Sequence, residues 1–494
     1  MSLPPCPLLQ ALLSPLLASI LALLLGRRLA SRTGWLVGPV LAYQTGLLAL
    51  VALRVWRGAV LTERYGWLPG IPVALELVAD GLSAPVALVM SLICTCLAFY
   101  SVRYIEYRVQ AIYGPAGLRE GEHFTLYYAL YPLFPIGLVG MALSYDLVLL
   151  WLFMELMLLP FYFIIAHLGY GDRHRIALMF FIWGTAAASL FMAGASLAYA
   201  QVGSFSLRDL PGLPDGPLGR LACLLMALGL LTKMAAFGLH VWLPWVHANT
   251  PTSLAGILAC YANIGAYLLA RTVVIPLPAF FGPLRLPIMV WALITMVYGA
   301  LLALAQEDVK FLCACSTMSQ IAYSLLGVAS MGSLALAGGL FYMLSHCLGK
   351  AVLFSTAGLL VYETHERDMR KMGGLASLVP ATATFWALGS MILSAVPPLS
   401  GFTAELMLFM GIFKSTEGSL ALSVAILGVL ATALTAAYTF WPLKRMFFGP
   451  LKEGLEHVRE APRSMLVPLA LLALASMALG LWPGLVMSFF LRSA

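Results

Sequence analysis

Long apolar runs, each about the length that crosses a bilayer as a helix, alternate with short polar links through almost the whole chain. Fourteen such spans are predicted. They run over 7–26, 35–56, 82–101, 124–143, 145–166, 176–200, 219–240, 252–271, 286–305, 310–330, 333–362, 379–414, 418–443 and 464–490. The pattern predicts an all-α polytopic membrane protein.

Proline interrupts two of these spans. In the seventh, the stretch LTKMAAFGLHVWLPWVHANTPT (231–252) carries Lys233, His240, Trp242, Pro244, His247 and Pro251. His240 lies seven residues after Lys233, close to two helical turns, so the two are expected on one face. Pro244 is expected to break the helix, because it lacks an N–H and clashes with the preceding turn. The twelfth span is interrupted at Pro397-Pro398. Broken helices in corresponding places predict an inverted repeat of five helices, 124–273 against 286–448. Residues 1–123 then hold the first three helices, and 464–494 the last.

Composition agrees. The chain of 494 residues is 62% hydrophobic and 10% charged, whereas soluble domains are about one quarter charged. The net charge of +7 is scattered over loops and forms no nucleic-acid footprint. Loops after odd-numbered spans hold 17 of the 28 Lys and Arg residues. The positive-inside rule therefore predicts those loops in the cytoplasm and both termini on the other side. The eight cysteines suggest no framework, and the Cys94/Cys96 and Cys313/Cys315 pairs read as small core hydrophobes. No nucleotide loop or iron–sulfur spacing is present, so any energy source lies on a partner or in an ion gradient.

Charge inside the spans carries the candidate chemistry. Glu155 sits in WLFMELMLLPFYF without a polar neighbour, and Lys233 has the same problem with opposite sign. Each costs at least about 2.5 kcal/mol in the bilayer centre unless paired or neutral. A switchable Glu155–Lys233 pair is expected, whose breaking frees Lys233 to release a proton. His346 and Lys350, at i and i+4, share a helix face. Glu405 follows the Pro397-Pro398 break and could continue a proton wire with them. His240 and His247 fit either that wire or simple hydrogen bonding between helices. Glu307, Asp308 and Lys310, at a span end, read as a solvated helix junction.

Several stretches together carry a resemblance: DGLSAPVALVMSL (80–92), YDLVLLWLFMELMLLPFYFI (145–164), TKMAAFGLHVWLPWVHANTPTSLAGIL (232–258), ALAQEDVKFLCACSTMSQIAYSLLG (303–327), HCLGKAVLF (346–354) and SGFTAELMLF (400–409). The chain resembles the antiporter-like membrane subunits shared by proton-pumping NADH:quinone oxidoreductase (complex I), Mrp cation/proton antiporters and membrane-bound hydrogenases. Fourteen helices with inverted five-helix repeats is that family's fold. The resemblance implies a glutamate–lysine pair at Glu155 and Lys233, polar relay residues at His346 and Lys350, and the terminal ionisable group at Glu405. A glutamate in that last place resembles the M-type chain of complex I.

The resemblance also implies proton translocation within a redox-driven complex. It implies no cofactor in this chain, with flavin, iron–sulfur clusters and quinone, or nickel–iron, carried by partner subunits. The partners would be other antiporter-like and small membrane subunits, a redox module and the lipid of a prokaryotic plasma membrane, with no nucleic acid. Two departures stand out. The eighth span lacks the family's lysine, Cys260 and Asn263 being nearest, and Ala248-Asn249-Thr250 replaces an acidic version after His247. A gradient-driven Mrp-type antiporter subunit and a packing subunit that has lost transport are the rival readings.

Overall fold

The computed structural model describes residues 3–66, 73–119, 121–415 and 418–493. The chain opens with α1 (Pro7–Leu29) and α2 (Thr33–Trp56), followed by a small antiparallel hairpin, β1 (Leu61–Gly66) with β2 (Ala74–Ala79). The sequence reading left this polar link without structure. Its Glu63 carboxylate accepts from Leu8 N and Leu9 N at 2.8 and 2.9 Å, so it caps the exposed donors at the start of α1.

Helices account for most of the rest. In order they are α3 (Ser83–Arg119), α4 (Glu122–Leu130), α5 (Leu133–Leu143), α6 (Leu147–Leu156), α7 (Leu158–Leu168), α8 (Arg173–Val202), α9 (Pro217–Lys233) and α10 (Trp242–Asn249). There follow α11 (Thr252–Leu269), α12 (Pro278–Leu304), α13 (Val309–Ala329), α14 (Ser333–Thr364), α15 (Pro380–Leu393), α16 (Ser400–Ser415), α17 (Ser419–Phe447), α18 (Arg463–Leu481) and α19 (Gly484–Ser493). Among the described residues, eleven helical stretches are long and apolar enough to cross a membrane. One of these joins α1 and α2, and the short halves α9/α10 and α15/α16 are not among them. The predicted last span divides into α18 and α19.

Burial sorts the helices. Every side chain of α11 is buried, and α13 and α14 are nearly so, whereas α1, α8, α17 and α18 expose leucines outward. Apolar outer faces with polar groups gathered inside are what a lipid solvent requires. Small residues let α14 and α16 approach closely: a Cβ on Gly411 would overlap the backbone of Ala335.

Two backbone patterns occur twice. Asp146 caps α6 by accepting from Val148 N and Leu149 N, and Asp308 caps α13 by accepting from Lys310 N and Phe311 N. Beside each cap the chain forms an isolated bridge, Asp146 with Ser206 and Asp308 with Asp368. Its hydrogen bonds match as well, Leu147 N to Phe205 O in one and Val309 N to Arg367 O in the other. The second pattern is the helix break. After α9, Ala235 takes φ +53° and Ala236 N reaches Leu231 O; after α15, Ala395 takes φ +52° and Val396 N reaches Met391 O.

The first break corrects the sequence reading. The helix stops at Lys233 because Ala235 and Gly238 both adopt positive φ. Pro244 does not cause the stop. It is the third residue of α10, where no N–H is needed for an intrahelical bond. Lys233 and His240 therefore do not share a helical face.

Candidate functional site: a buried line of polar residues

Lys233 ends α9 inside the bundle, with its residue surface 3% exposed. Its Nζ stands 2.9 Å from the centre of the Tyr261 ring and has no hydrogen-bond partner in the protein. An ammonium over an aromatic face is held by the ring quadrupole. Tyr261 belongs to α11, and its hydroxyl donates to Met154 O at 3.4 Å, one residue before Glu155. Tyr261 thus touches Lys233 and the residue next to Glu155.

Glu155 itself makes no ion pair among the described residues. It lines an apolar cleft, open on one side, with Leu152, Phe153, Leu156, Leu159 and Phe181. Tyr261 is the link between the two, its ring carrying Lys233 and its hydroxyl meeting the carbonyl of the residue before Glu155. The Trp242 indole donates to Thr232 O at 3.3 Å and so fastens α10 back onto the end of α9.

His247 on α10 is fully buried, and neither ring nitrogen has a protein partner. Its ring lies 5.7 Å from that of Phe354 on α14. His240 is placed elsewhere. It sits in the loop between α9 and α10, accepts from Gly238 N through Nδ1 at 3.1 Å, and packs on Phe237 and Tyr298 beside an outward-open cavity of 460 Å³. The structure does not bring it to Lys233.

The α14 residues continue inward from α11. Asn263 Nδ2 lies 2.7 Å from His346 Nδ1 and donates also toward Met343 O at 3.3 Å. Asn263 Oδ1 and His346 Nε2 have no protein partner. Lys350 is fully buried and donates to Cys313 O at 3.0 Å and to the Ser316 hydroxyl, both on α13. Near the second break, Ser345, Ser400 and Ser476 form a hydroxyl chain with steps of 2.7 Å. Glu405 on α16 has no hydrogen bond or ion pair among the described residues. Beside α16 the rings of Tyr323 and Tyr342 stack at 4.9 Å, and Tyr323 meets Phe409 of that helix at 6.3 Å.

Buried polar atoms are costly without partners, about 1–3 kcal/mol each. Along α9, α10, α11 and α14 they include Lys233 Nζ, both His247 nitrogens, Thr252 Oγ1, Asn263 Oδ1, His346 Nε2, Ser355 Oγ and Glu363 Oε2. A line of donors and acceptors with spare capacity can hold ordered water and pass protons by changing partners.

Sequence reasoning missed three residues. Tyr261 went unnoticed because a lysine was sought in that helix. Gln320, which donates to Tyr438 at 2.6 Å and accepts from Tyr342 at 2.7 Å, is polar but uncharged and so carried no alarm. Lys310 was read as solvated, and the structure overturns that. It is fully buried, donates to Thr250 O at 2.7 Å, and lies 3.9 Å from the centre of the Tyr170 ring. Arg108 and Arg367 approach the same ring at 3.6 and 5.2 Å, and Asp308 pairs with Arg367 at 2.8 Å. The Tyr170 ring gathers these cations, and with the Thr250 carbonyl it holds Lys310 inside the protein.

Comparison with known proteins agrees with this architecture. Residues 144–435 match the family described as NADH:quinone oxidoreductase/Mrp antiporter, transmembrane. Among relatives, NADH-quinone oxidoreductase subunit N of Desulforudis audaxviator is 32% identical over 484 residues, covering 92% of each chain. An NAD(P)H-quinone oxidoreductase chain 4 of a Synechococcus species is 34% identical over 442 residues, covering 86% of this chain and 80% of its own. The two designations differ, so similarity gives the family and not the paralogue. A chain of respiratory complex I from Thermus thermophilus has the same fold, with TM-score 0.85, 24% identity and coverage of 98% and 99%. A chain of the Mrp complex from Dietzia sp. matches at TM-score 0.85 with 22% identity, over 98% of this chain and 97% of that one. This chain is an antiporter-like, integral membrane subunit and belongs to the NADH:quinone oxidoreductase/Mrp antiporter transmembrane family.

Proposed function

We propose that this subunit moves protons across a prokaryotic plasma membrane, as part of a redox-driven complex of the NADH:quinone oxidoreductase type. One observation carries the reading: a buried lysine, Lys233, ends a broken helix with no acceptor on its ammonium and a glutamate close by. Such a group is poised to give up its proton when its surroundings change. Glu155, Lys233, His247, Asn263, His346, Lys350 and Glu405 form the path, and Asn263 takes the place of the missing eighth-span lysine. His240 serves at most an outward branch. The recurring caps and helix breaks support two related five-helix units, 124–273 and 286–448, within fourteen spans. Both termini lie on the non-cytoplasmic side, as the Lys and Arg distribution indicates.

Electrons travel elsewhere in this scheme. Flavin, iron–sulfur clusters and quinone, or nickel–iron, belong to partner subunits, and the neighbours in the membrane are further antiporter-like and small subunits. The test is redox-coupled proton uptake by the purified complex in proteoliposomes, with native chain and with Lys350→Met. Loss of uptake with electron transfer retained supports the reading. A sodium-dependent activity without any redox partner favours an Mrp-type antiporter instead.

A further inference from the structure

A second cluster of carboxyls lies at the far end of α14, away from the line above. Glu363, in the last turn of α14, is 7% exposed, and its Oε2 is buried with no partner in the protein. Its Oε1 accepts from Ala461 N at 3.1 Å. Glu460 reaches the first turn of α15, where it accepts from Ala381 N at 2.7 Å and Thr382 N at 3.1 Å. The Thr382 hydroxyl lies between the two, 2.8 Å from Glu363 Oε1 and 2.7 Å from Glu460 Oε1.

A hydroxyl has one proton to give. It can donate fully to only one of these oxygens, and a strong bond to the other calls for a proton on that carboxyl, so the arrangement suits a pair that holds a further proton. Two backbone donors at the start of α15 already satisfy the Glu460 carboxyl. Glu363, buried with a bare oxygen, is then the proton carrier. Both carboxyls line a polar cavity of 520 Å³. The other ionisable groups that line it are Arg103 and Glu106, paired with each other at 2.9 Å, with Tyr107, Tyr362, His365, His457 and Arg459. His365 touches the Tyr107 hydroxyl at 3.3 Å.

We propose that Glu363, Thr382 and Glu460 form a proton-binding site, which exchanges one proton between the cavity and the buried polar residues of α14. Uptake converts the Glu363 carboxylate and a hydronium ion into a carboxylic acid and water, with no electron moved. From Glu363 the same helix carries Thr356, Ser355, Lys350 and His346, all buried. The role as entry port rests on the proposed function; the proton-binding site itself does not.

Infrared difference spectroscopy of the whole complex in proteoliposomes, in H₂O and D₂O near neutral pH, tests both parts. The native complex should show a protonated-carboxyl band that shifts in D₂O. Glu363→Gln should remove it, and Thr382→Val should keep it but move its frequency. A spectrum unchanged in both variants overturns the site. Should Glu363→Gln fail to assemble, the Thr382→Val spectrum decides alone, an unmoved band overturning the site. Redox-coupled proton uptake should slow severalfold in Glu363→Gln with electron transfer retained. Native uptake in Glu363→Gln, in preparations where Lys350→Met abolishes it, overturns the port while leaving the proposed function standing. Native uptake in both variants refutes the proposed function, and the infrared result still decides the site.

Discussion

The ammonium of Lys233 rests 2.9 Å from the centre of the Tyr261 ring, where a carboxylate was expected. The ring stabilises the cation without accepting its proton, so Lys233 keeps a charge that it is free to pass on. A desolvated cation–π contact contributes about 2 kcal/mol. Tyr261→Phe keeps the ring and should pump nearly as the native protein does. Tyr261→Leu should lower redox-coupled pumping by about thirtyfold, which is what about 2 kcal/mol produces. Equal effects in Phe and Leu would show that the hydroxyl, not the ring, matters.

Asn263 joins the two halves of the line through its 2.7 Å contact with His346. Asn263→Leu leaves a buried imidazole without that partner, at a cost of about 1–3 kcal/mol. Pumping should fall while electron transfer continues, and thermal stability should drop. A Gln at this position should recover part of the activity.

At the opposite end of α11, Arg271 pairs with Asp80 at 2.7 Å, and both side chains are largely buried. Breaking a buried pair from one side costs about 3–5 kcal/mol. Asp80→Ala should therefore reduce the amount of assembled complex. Replacing both residues together with Arg271→Met and Asp80→Leu should recover much of the loss, measured by thermal unfolding in detergent.

In the loop after α14, hydrogen bonds from the Arg370 side chain and backbone hold the Asp368 carboxyl down to about 2. Glu366 is lowered too, first by the Asp368 N–H and then by Lys371. A depressed carboxylate stabilises the fold fully above its ordinary value, about 3.9, and the contribution is lost as pH falls through the folded value. Protection of the Arg370 amide, its exchange measured against the free peptide at the same pH, should fall between about pH 4 and pH 2. Asp368→Asn should show the faster exchange already near neutral pH.

Much of this arrangement was legible in the sequence. Apolar run length located the helices, because a lipid solvent leaves few alternatives to a helix of that length. The unpaired Glu155, Lys233, Lys350 and Glu405 announced themselves, since charge in such runs is rare. Partner choice was not legible. The reading expected Glu155 and Lys233 to approach each other or share water; the Tyr261 ring on Lys233 was not foreseen, because it arrives from another helix. The break position was missed because proline is conspicuous and Ala235 is not, although Gly238 was the available sign. Lys310 was placed in water, as a lysine three residues beyond a glutamate at a span end suggests, but Tyr170 and the Thr250 carbonyl enclose it.

The most direct measurement is proton uptake by the reconstituted complex carrying Lys233→Ala, followed with a pH-sensitive dye during redox turnover. Electron transfer should persist, and protons taken up per electron should fall. An unchanged proton-to-electron ratio in assembled Lys233→Ala complex would contradict this, and would leave this subunit a packing element of its membrane arm.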